Sequence, residues 1–313
     1  MPRSGHRAYR VFLIRVAAWC FAFIAGYAGL LAALNWARAL PPPPFTGTEC
    51  LDEKFVLLRN AELADRDLIT VGSSVTWRNL DFREVEQRLA VKPFNTAPCY
   101  LYTSQAAFFA DVLLANLPQV RTVLTVVAPR DFEVCDGPVD AFADRTVLEG
   151  FIFGRDRFEW IYGANLRPVS FAESVIRRWT VGGGPGDKLA MDEYGSSFLK
   201  AKQAWEPPPV VDPDCMDGMA ALETVVNARG ARLIVVSFPL SPSWSKRFNP
   251  GGRFIAGFER EIRGRLKNPS TLFIGSDAFE GTDDDYADAV HLLAPAVPRF
   301  TRALVDRLDP AVL

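Results

Sequence analysis

Short apolar runs alternate with segments of helical period over most of the chain beyond residue 60. Leu68–Val71, Val123–Ala128, Leu233–Phe238 and Thr271–Ile274 read as buried strands, and Lys92–Ala97 holds a brief further one with its loop. Between them, Asn79–Leu89 places Leu80, Val85 and Leu89 on one side of a predicted helix. Ser104–Leu117, Met216–Asn227, Ile255–Leu266 and Pro298–Leu308 repeat the helical pattern, and Leu51–Leu63 is a helical lead-in. Helices alternating with short apolar strands predict a mainly parallel sheet covered on both faces, an α/β three-layer α/β/α sandwich of flavodoxin-like type. The rhythm fails from about residue 136 to 210, a stretch with Trp160, Tyr162, Trp179, Tyr194, Trp205, a Gly182–Gly186 break and Pro207–Pro209. An insertion of that length suggests a lid or a substrate-binding elaboration. Its aromatics either stack on sugar rings or form the insertion's own small core.

A different pattern precedes the sheet. No charge occurs from Val16 to Ala37, long enough as a helix to cross a bilayer. Arg3, Arg7, Arg10 and Arg15 lie before it and Arg38 after it, so the positive-inside rule keeps the N-terminus in the cytoplasm. The expected organisation is a cytoplasmic segment 1–15, a transmembrane helix 16–37, a linker and lead-in 38–60 stiffened by Pro41–Pro44, and an extracytoplasmic domain 61–313. Ala37-Arg-Ala39 offers a signal-peptidase alternative; retention is preferred because the apolar run exceeds a signal h-region. Either way the domain is exported. Retained, it is single-pass in the inner (cytoplasmic) membrane, facing the periplasm or extracytoplasmic space.

Composition changes this picture little. A 49% hydrophobic content in 313 residues supplies a sizeable core, and a net charge of −2 without a basic stripe argues against nucleic acid as a partner. Cysteine usage is more informative. Cys20 lies in the apolar span, while Cys50, Cys99, Cys135 and Cys215 form an even set in an oxidising compartment. Two disulfides are expected, Cys99 with Cys135 because both follow parallel strands, and Cys50 with Cys215; free buried thiols are the alternative. Metal-ligand spacing is absent, and neither a metal nor a cofactor is expected. Asp283-Asp284-Asp285 lacks the spaced ligands of a calcium loop and reads as a solvated acidic turn.

Candidate chemistry sits at the two ends of the domain. Gly72-Ser73-Ser74 follows the first strand, where open α/β sheets place their ligands. A serine there is either a helix N-cap or a nucleophile beside the first N–H groups of a helix. The chain has two histidines, His6 before the apolar span and His291 near the end of the domain. Asp288 precedes His291 by three residues, a spacing that lets its carboxylate hold one ring nitrogen while the other faces a nucleophile.

An early strand-turn serine with a late Asp-x-x-His resembles the SGNH/GDSL hydrolase superfamily, over roughly residues 66–136 and 230–305. The resemblance implies Ser74 as nucleophile, His291 as base and Asp288 as its orienting carboxylate, with Ser73 where the family commonly has Asp. Gly-Ser-Ser looks more like the envelope acyl-transfer branch, which includes the teichoic acid D-alanylation and alginate O-acetylation proteins. The family's second block aligns with Asn95-Thr-Ala-Pro-Cys-Tyr100, where Ala97 and Tyr100 replace glycines. Its third block aligns with Ala128-Pro-Arg-Asp131, where Arg130 replaces the asparagine of the oxyanion hole. Oxyanion candidates are then Ser74, Tyr100 and Arg130. For Arg130 an ion pair with Asp131 or Glu133 is the favoured reading. The resemblance implies a serine O-acyltransferase acting on an envelope polysaccharide with a membrane-bound acyl-transfer partner. A glycan esterase of the same fold, or a non-catalytic scaffold with decayed oxyanion blocks, is the alternative.

Overall fold

The computed structural model describes residues 4–46, 48–135, 144–154, 159–164, 167–182 and 187–308. Contacts divide the chain into two units, Pro43–Asn165 with Asp187–Leu313, and Met1–Pro42 with Leu166–Gly186.

The larger unit is built on five parallel strands, β1 (Leu68–Thr70), β2 (Pro93–Phe94), β3 (Thr122–Val127), β4 (Arg232–Ser237) and β5 (Leu272–Ile274), in the order β2-β1-β3-β4-β5. That is the doubly wound order with its switch point between β1 and β3. Register follows from the pairs Leu68–Pro93, Leu68–Thr122, Thr122–Arg232 and Ile234–Leu272. Pro93, which has no N–H, falls on an edge strand.

Alternate strand residues bury on opposite faces, as the pleat requires. Ile69, Val71, Val123, Leu233 and Val235 face one core. It is shared with α2 (Glu49–Asn60), α5 (Thr103–Asn116), α6 (Arg145–Ile152) and α9 (Asp217–Ala228). Leu68, Leu124, Val126, Ile234 and Val236 face the other. That core is closed by α4 (Phe82–Arg88), α10 (Pro242–Phe248) and α12 (Val297–Val305). α11 (Arg253–Arg265) gives Phe258 and Ile262 to the first core and packs Phe254 and Ile255 against the second. The sandwich is the expected one.

Three expectations need correction. The helix predicted over Asn79–Leu89 is two helices, α3 (Ser74–Arg78) and α4, because the Asn79 side chain is spent on other backbone groups and Asp81 caps a new helix at the Arg83 N–H (3.0 Å). The disulfides are Cys50–Cys99 and Cys135–Cys215, with Cα separations of 5.9 and 5.3 Å. Cys99 and Cys135 follow β2 and β3, which β1 separates, and two strand spacings are roughly 10 Å, beyond a disulfide's reach. Cys50, in the first turn of α2, lies closer.

The third concerns the segment between the strands' two halves. Its described parts include α6 and α7 (Glu159–Ala164) in the larger unit and α8 (Pro168–Thr180) in the smaller; residues 183–186 of the glycine break and the Trp160 side chain lie outside the described residues. Residues 187–205 are not a free lid, and the substrate-binding alternative stands, since Lys202, Gln203, Ala204 and Trp205 line a cleft. The Gly195 carbonyl accepts from Lys54 Nζ (2.6 Å) and Trp77 Nε1 (3.0 Å), and Gln203 N–H donates to Ala287 O (2.6 Å), so this limb is woven into the domain. Burial drives Lys54 well below the usual lysine range.

In the smaller unit, α1 (Ser4–Trp36) is a 33-residue helix, about 50 Å long, carrying a stretch apolar enough to span a bilayer.

Candidate active site

The site begins where β1 ends. Gly72 adopts φ 152°, and a Cβ there would strike Thr76 Oγ1, so only glycine fits the turn. Thr76 Oγ1 in turn donates to Val126 O (2.8 Å) and accepts from Val126 N–H (2.9 Å), locking α3 onto β3. Ser73 is the N-cap of α3, accepting from Val75 N–H at 3.2 Å. Its hydroxyl donates to Asp131 Oδ1 at 2.5 Å, while Asp131 Oδ2 accepts from Ala128 N–H at 2.8 Å. Burial pushes Asp131 up to about 6, against these two bonds. Ser74 is therefore delivered by a turn pinned from both sides.

The loop after β5 brings the second half. His291 Nε2 lies 3.0 Å from Ser74 Oγ, and its Nδ1 lies 2.8 and 3.0 Å from the two oxygens of Asp288. Asp288 Oδ1 also accepts from Val290 and His291 N–H (2.9 and 3.0 Å), which fixes the carboxylate within the turn. Residues from opposite ends of the domain, 217 positions apart in sequence, thus share one hydrogen-bonded row. Desolvation by burial lowers His291 below the ordinary histidine value, opposed by Asp288. At neutral pH the imidazole is uncharged. With Nδ1–H donated to Asp288, Nε2 is free to accept from the serine hydroxyl.

Asn79 was not singled out by sequence reasoning, yet it joins the halves. Its Nδ2 donates to Val75 O (2.8 Å) and Val290 O (3.0 Å), and its Oδ1 accepts from Leu292 N–H (2.8 Å). It thereby ties α3 to the residues on either side of His291. A polar residue within an apolar helical pattern was the available signal. Arg78, buried and stacked on Trp77 at 4.3 Å, braces the same region through Ser197 O (3.4 Å) and Lys188 O (3.0 Å). Burial pushes it down to about 10, opposed by Asp288.

The remaining predicted residues divide. Asn95 is fully buried, accepting from Thr70 Oγ1 (2.8 Å) and donating to Trp77 O (3.0 Å) and Ser196 Oγ (2.9 Å), so it holds β2 to α3. Tyr100 stands at φ 50°, a left-handed conformation that favours glycine, with its ring 57% exposed. The Arg130 guanidinium stacks on Trp205 at 4.4 Å rather than closing on a carboxylate, and the expected attraction to Asp131 and Glu133 survives as a longer-range effect of its charge on both. Its charge still acts on His291, lowering it further. Ring stacking wins because Asp131 is already committed to Ser73 and Ala128. The acidic turn is likewise used by the protein. Asp283 accepts from Ser243 N–H (2.8 Å), Asp284 pairs with Lys202 (2.8 Å) and Asp285 pairs with Arg299.

Beside this row lies an open cleft of ≈ 650 Å³ whose wall includes Trp205, Lys202, Glu206, Arg247, Ser243 and Asp288. Trp205 thus belongs both to the cleft and to the Arg130 stack.

No family model matches the chain, and no curated protein does. Among solved structures, the chain is similar to one titled "Crystal Structure of TesA", with a TM-score of 0.45 and 16% identity, covering 79% of this chain and 100% of that chain. Fold and site together define a doubly wound α/β domain carrying a serine, a histidine and an aspartate in one hydrogen-bonded row.

Proposed function

We propose that the protein is a membrane-anchored, extracytoplasmic SGNH-type serine acyltransferase acting on a cell-envelope polysaccharide. The observation that carries the reading is the 3.0 Å contact of Ser74 Oγ with His291 Nε2, with Asp288 on the far side of the ring. His291 takes the Ser74 proton as Oγ attacks an acyl carbonyl. Collapse of the tetrahedral intermediate expels the donor's leaving group, which receives that proton from His291, and leaves an acyl-serine. An acceptor hydroxyl then gives its proton to His291 and attacks the same carbonyl, and the intermediate collapses with that proton passing from His291 to the departing Ser74 Oγ. A sugar hydroxyl as acceptor makes the enzyme a transferase; water makes it an esterase.

The oxyanion needs donors, and three are candidates: the backbone N–H groups of Ser74 and Tyr100, and the Arg130 guanidinium. Arg130 has no hydrogen-bond partner among the described residues, and Trp205 holds it flat. Two disulfides and a helix long enough to span a bilayer support an anchored domain in an oxidising compartment. The cleft lined by Trp205 and by charged and hydroxyl side chains supports a saccharide acceptor, since an aromatic face with polar rims suits sugar rings. A membrane-bound acyl-transfer protein would supply the acyl group, acetyl in this reading.

Intact-mass measurement after incubation with activated acyl esters tests the proposal. The wild-type protein gains one acyl mass, mapped to Ser74; Ser74→Ala and His291→Ala each gain none while still unfolding in one cooperative transition. Turnover in each falls by about 10⁴-fold or more, and the double variant is no worse than either single one, because nucleophile and base act as a unit. An unmodified wild-type Ser74 with every activated ester would leave a scaffold as the reading. Addition of oligosaccharide separates the two enzyme readings: acyl on sugar marks a transferase, free acid alone an esterase.

A further inference from the structure

α8 has the periodicity of a core helix and none of its burial. Val169, Ala172, Ile176 and Trp179 recur at i, i+3, i+7 and i+10 along one side, with Glu173 and Thr180 on its margin, while Ser170, Ser174 and Arg178 fall on the opposite side. The apolar side faces outward: Val169 is 70%, Ile176 61% and Trp179 71% exposed, and no residue of the helix is buried. α12 has the same kind of stripe and buries Val297, Phe300, Leu304 and Val305 beneath the sheet. No described residue covers the stripe of α8.

The grouping of this helix says what does. Contacts place Leu166–Gly186 in one unit with Met1–Pro42, the segment that carries the apolar α1. Charge agrees. Arg167 precedes the helix and Arg177 and Arg178 occupy its last turn, against the single acidic Glu173. An outward apolar stripe, a polar opposite face, cationic ends and a tryptophan at the margin describe a helix lying in a membrane interface. A wet stripe of this size on a monomer marks an interaction surface.

We infer that α8 is an amphipathic interfacial helix of the bilayer crossed by α1, with Val169, Ala172, Ile176 and Trp179 among the acyl chains and Arg167 at anionic headgroups. The inference rests on the anchored reading of α1. Two contacts with the lipid surface, one spanning and one lying flat, restrict the tether more than a single helix would.

Full-length protein in vesicles of phosphatidylcholine and phosphatidylglycerol provides the test. On a Cys20→Ser background, an environment-sensitive fluorophore is attached at Ile176→Cys, at Ser170→Cys, or at Leu30→Cys in α1. The Ile176 probe should be quenched about twofold more by lipids brominated near the glycerol end than by lipids brominated near the chain ends, as expected at interfacial depth. The Ser170 probe should stay open to aqueous iodide. Equal iodide quenching at 176 and 170 overturns the proposal. So does an Ile176 probe shielded from iodide and from both lipids, which would mean that another protein covers the stripe. The Leu30 probe reports the anchor separately: bromolipid quenching there with none at 176 sinks the interfacial helix alone, whereas none at Leu30 removes the anchored reading and this proposal with it.

Discussion

At the scale of single residues, the proposed mechanism makes the protonation of His291 set the working range. Its pKa lies below the ordinary 6.5 because burial disfavours the imidazolium, and Asp288 only partly restores it. The neutral form is the base, so the acid limb of kcat/KM should fall below pH 6.5, with activity retained above it. Asp288→Asn removes the group that raises the pKa; its acid limb should move to still lower pH, on a reduced plateau. A limb unchanged in the variant would mean that the profile reports another group. The same shift affects stability. Folding favours the neutral ring, so the contribution of His291 is fully present above the unfolded value and is lost as pH falls from 6.5 through the lower folded value.

Arg130 is the other residue whose environment decides its part. Stacked on Trp205 and close enough to act on His291, it can offer N–H donors where charge develops. If it stabilises the oxyanion, Arg130→Ala should lower kcat by about 10²-fold or more with little change in KM, the loss typical of one oxyanion donor. A rise in KM with kcat intact would assign it instead to holding Trp205 for the acceptor. Ser74, Asp288 and His291 were singled out in the sequence because a strand-turn serine and a late Asp-x-x-His together resemble a known family, although each alone has a structural use. Asn79 was not, since its value lies entirely in carbonyls and N–H groups that only the fold brings near.

At the scale of elements, the strands declared themselves and the helix breaks did not. Runs such as Leu233–Phe238 have too many β-branched and apolar residues to be anything but a covered strand, and β4 occupies Arg232–Ser237. The break at Asn79 needed the His291 loop as a partner. Disulfide pairing was hidden for a similar reason: three connectivities fit the sequence, and the position of β1 between β2 and β3 selects among them. Cys135–Cys215 closes a span of 80 residues, for which chain entropy gives about 4–5 kcal/mol. Replacing both cysteines by serine should lower the denaturant midpoint accordingly, and reduction should destabilise the wild type but not this variant by the same increment. An unchanged midpoint would mean that the bridge adds nothing to the fold.

At the scale of the whole molecule, the arginines before the apolar helix predict its orientation. A reporter fused after Leu313 should be active only outside the cytoplasm, and residues 1–15 should resist external protease in intact spheroplasts. Cytoplasmic activity of the reporter would end the envelope reading and, with it, the polysaccharide acceptor. The sequence by itself determined the layered α/β class and the membrane-length helix, because hydrophobic period and charge are local properties; it offered Ser74, Asp288 and His291 as candidates through a resemblance. Tertiary structure alone decided which cysteines meet, that Ser196, Ser197 and Leu199 are buried in the domain, that Arg130 stacks on a ring, and that no described residue covers the stripe of α8. Those outcomes depend on distances between segments far apart in the chain, and such distances are set only when the sheet order closes.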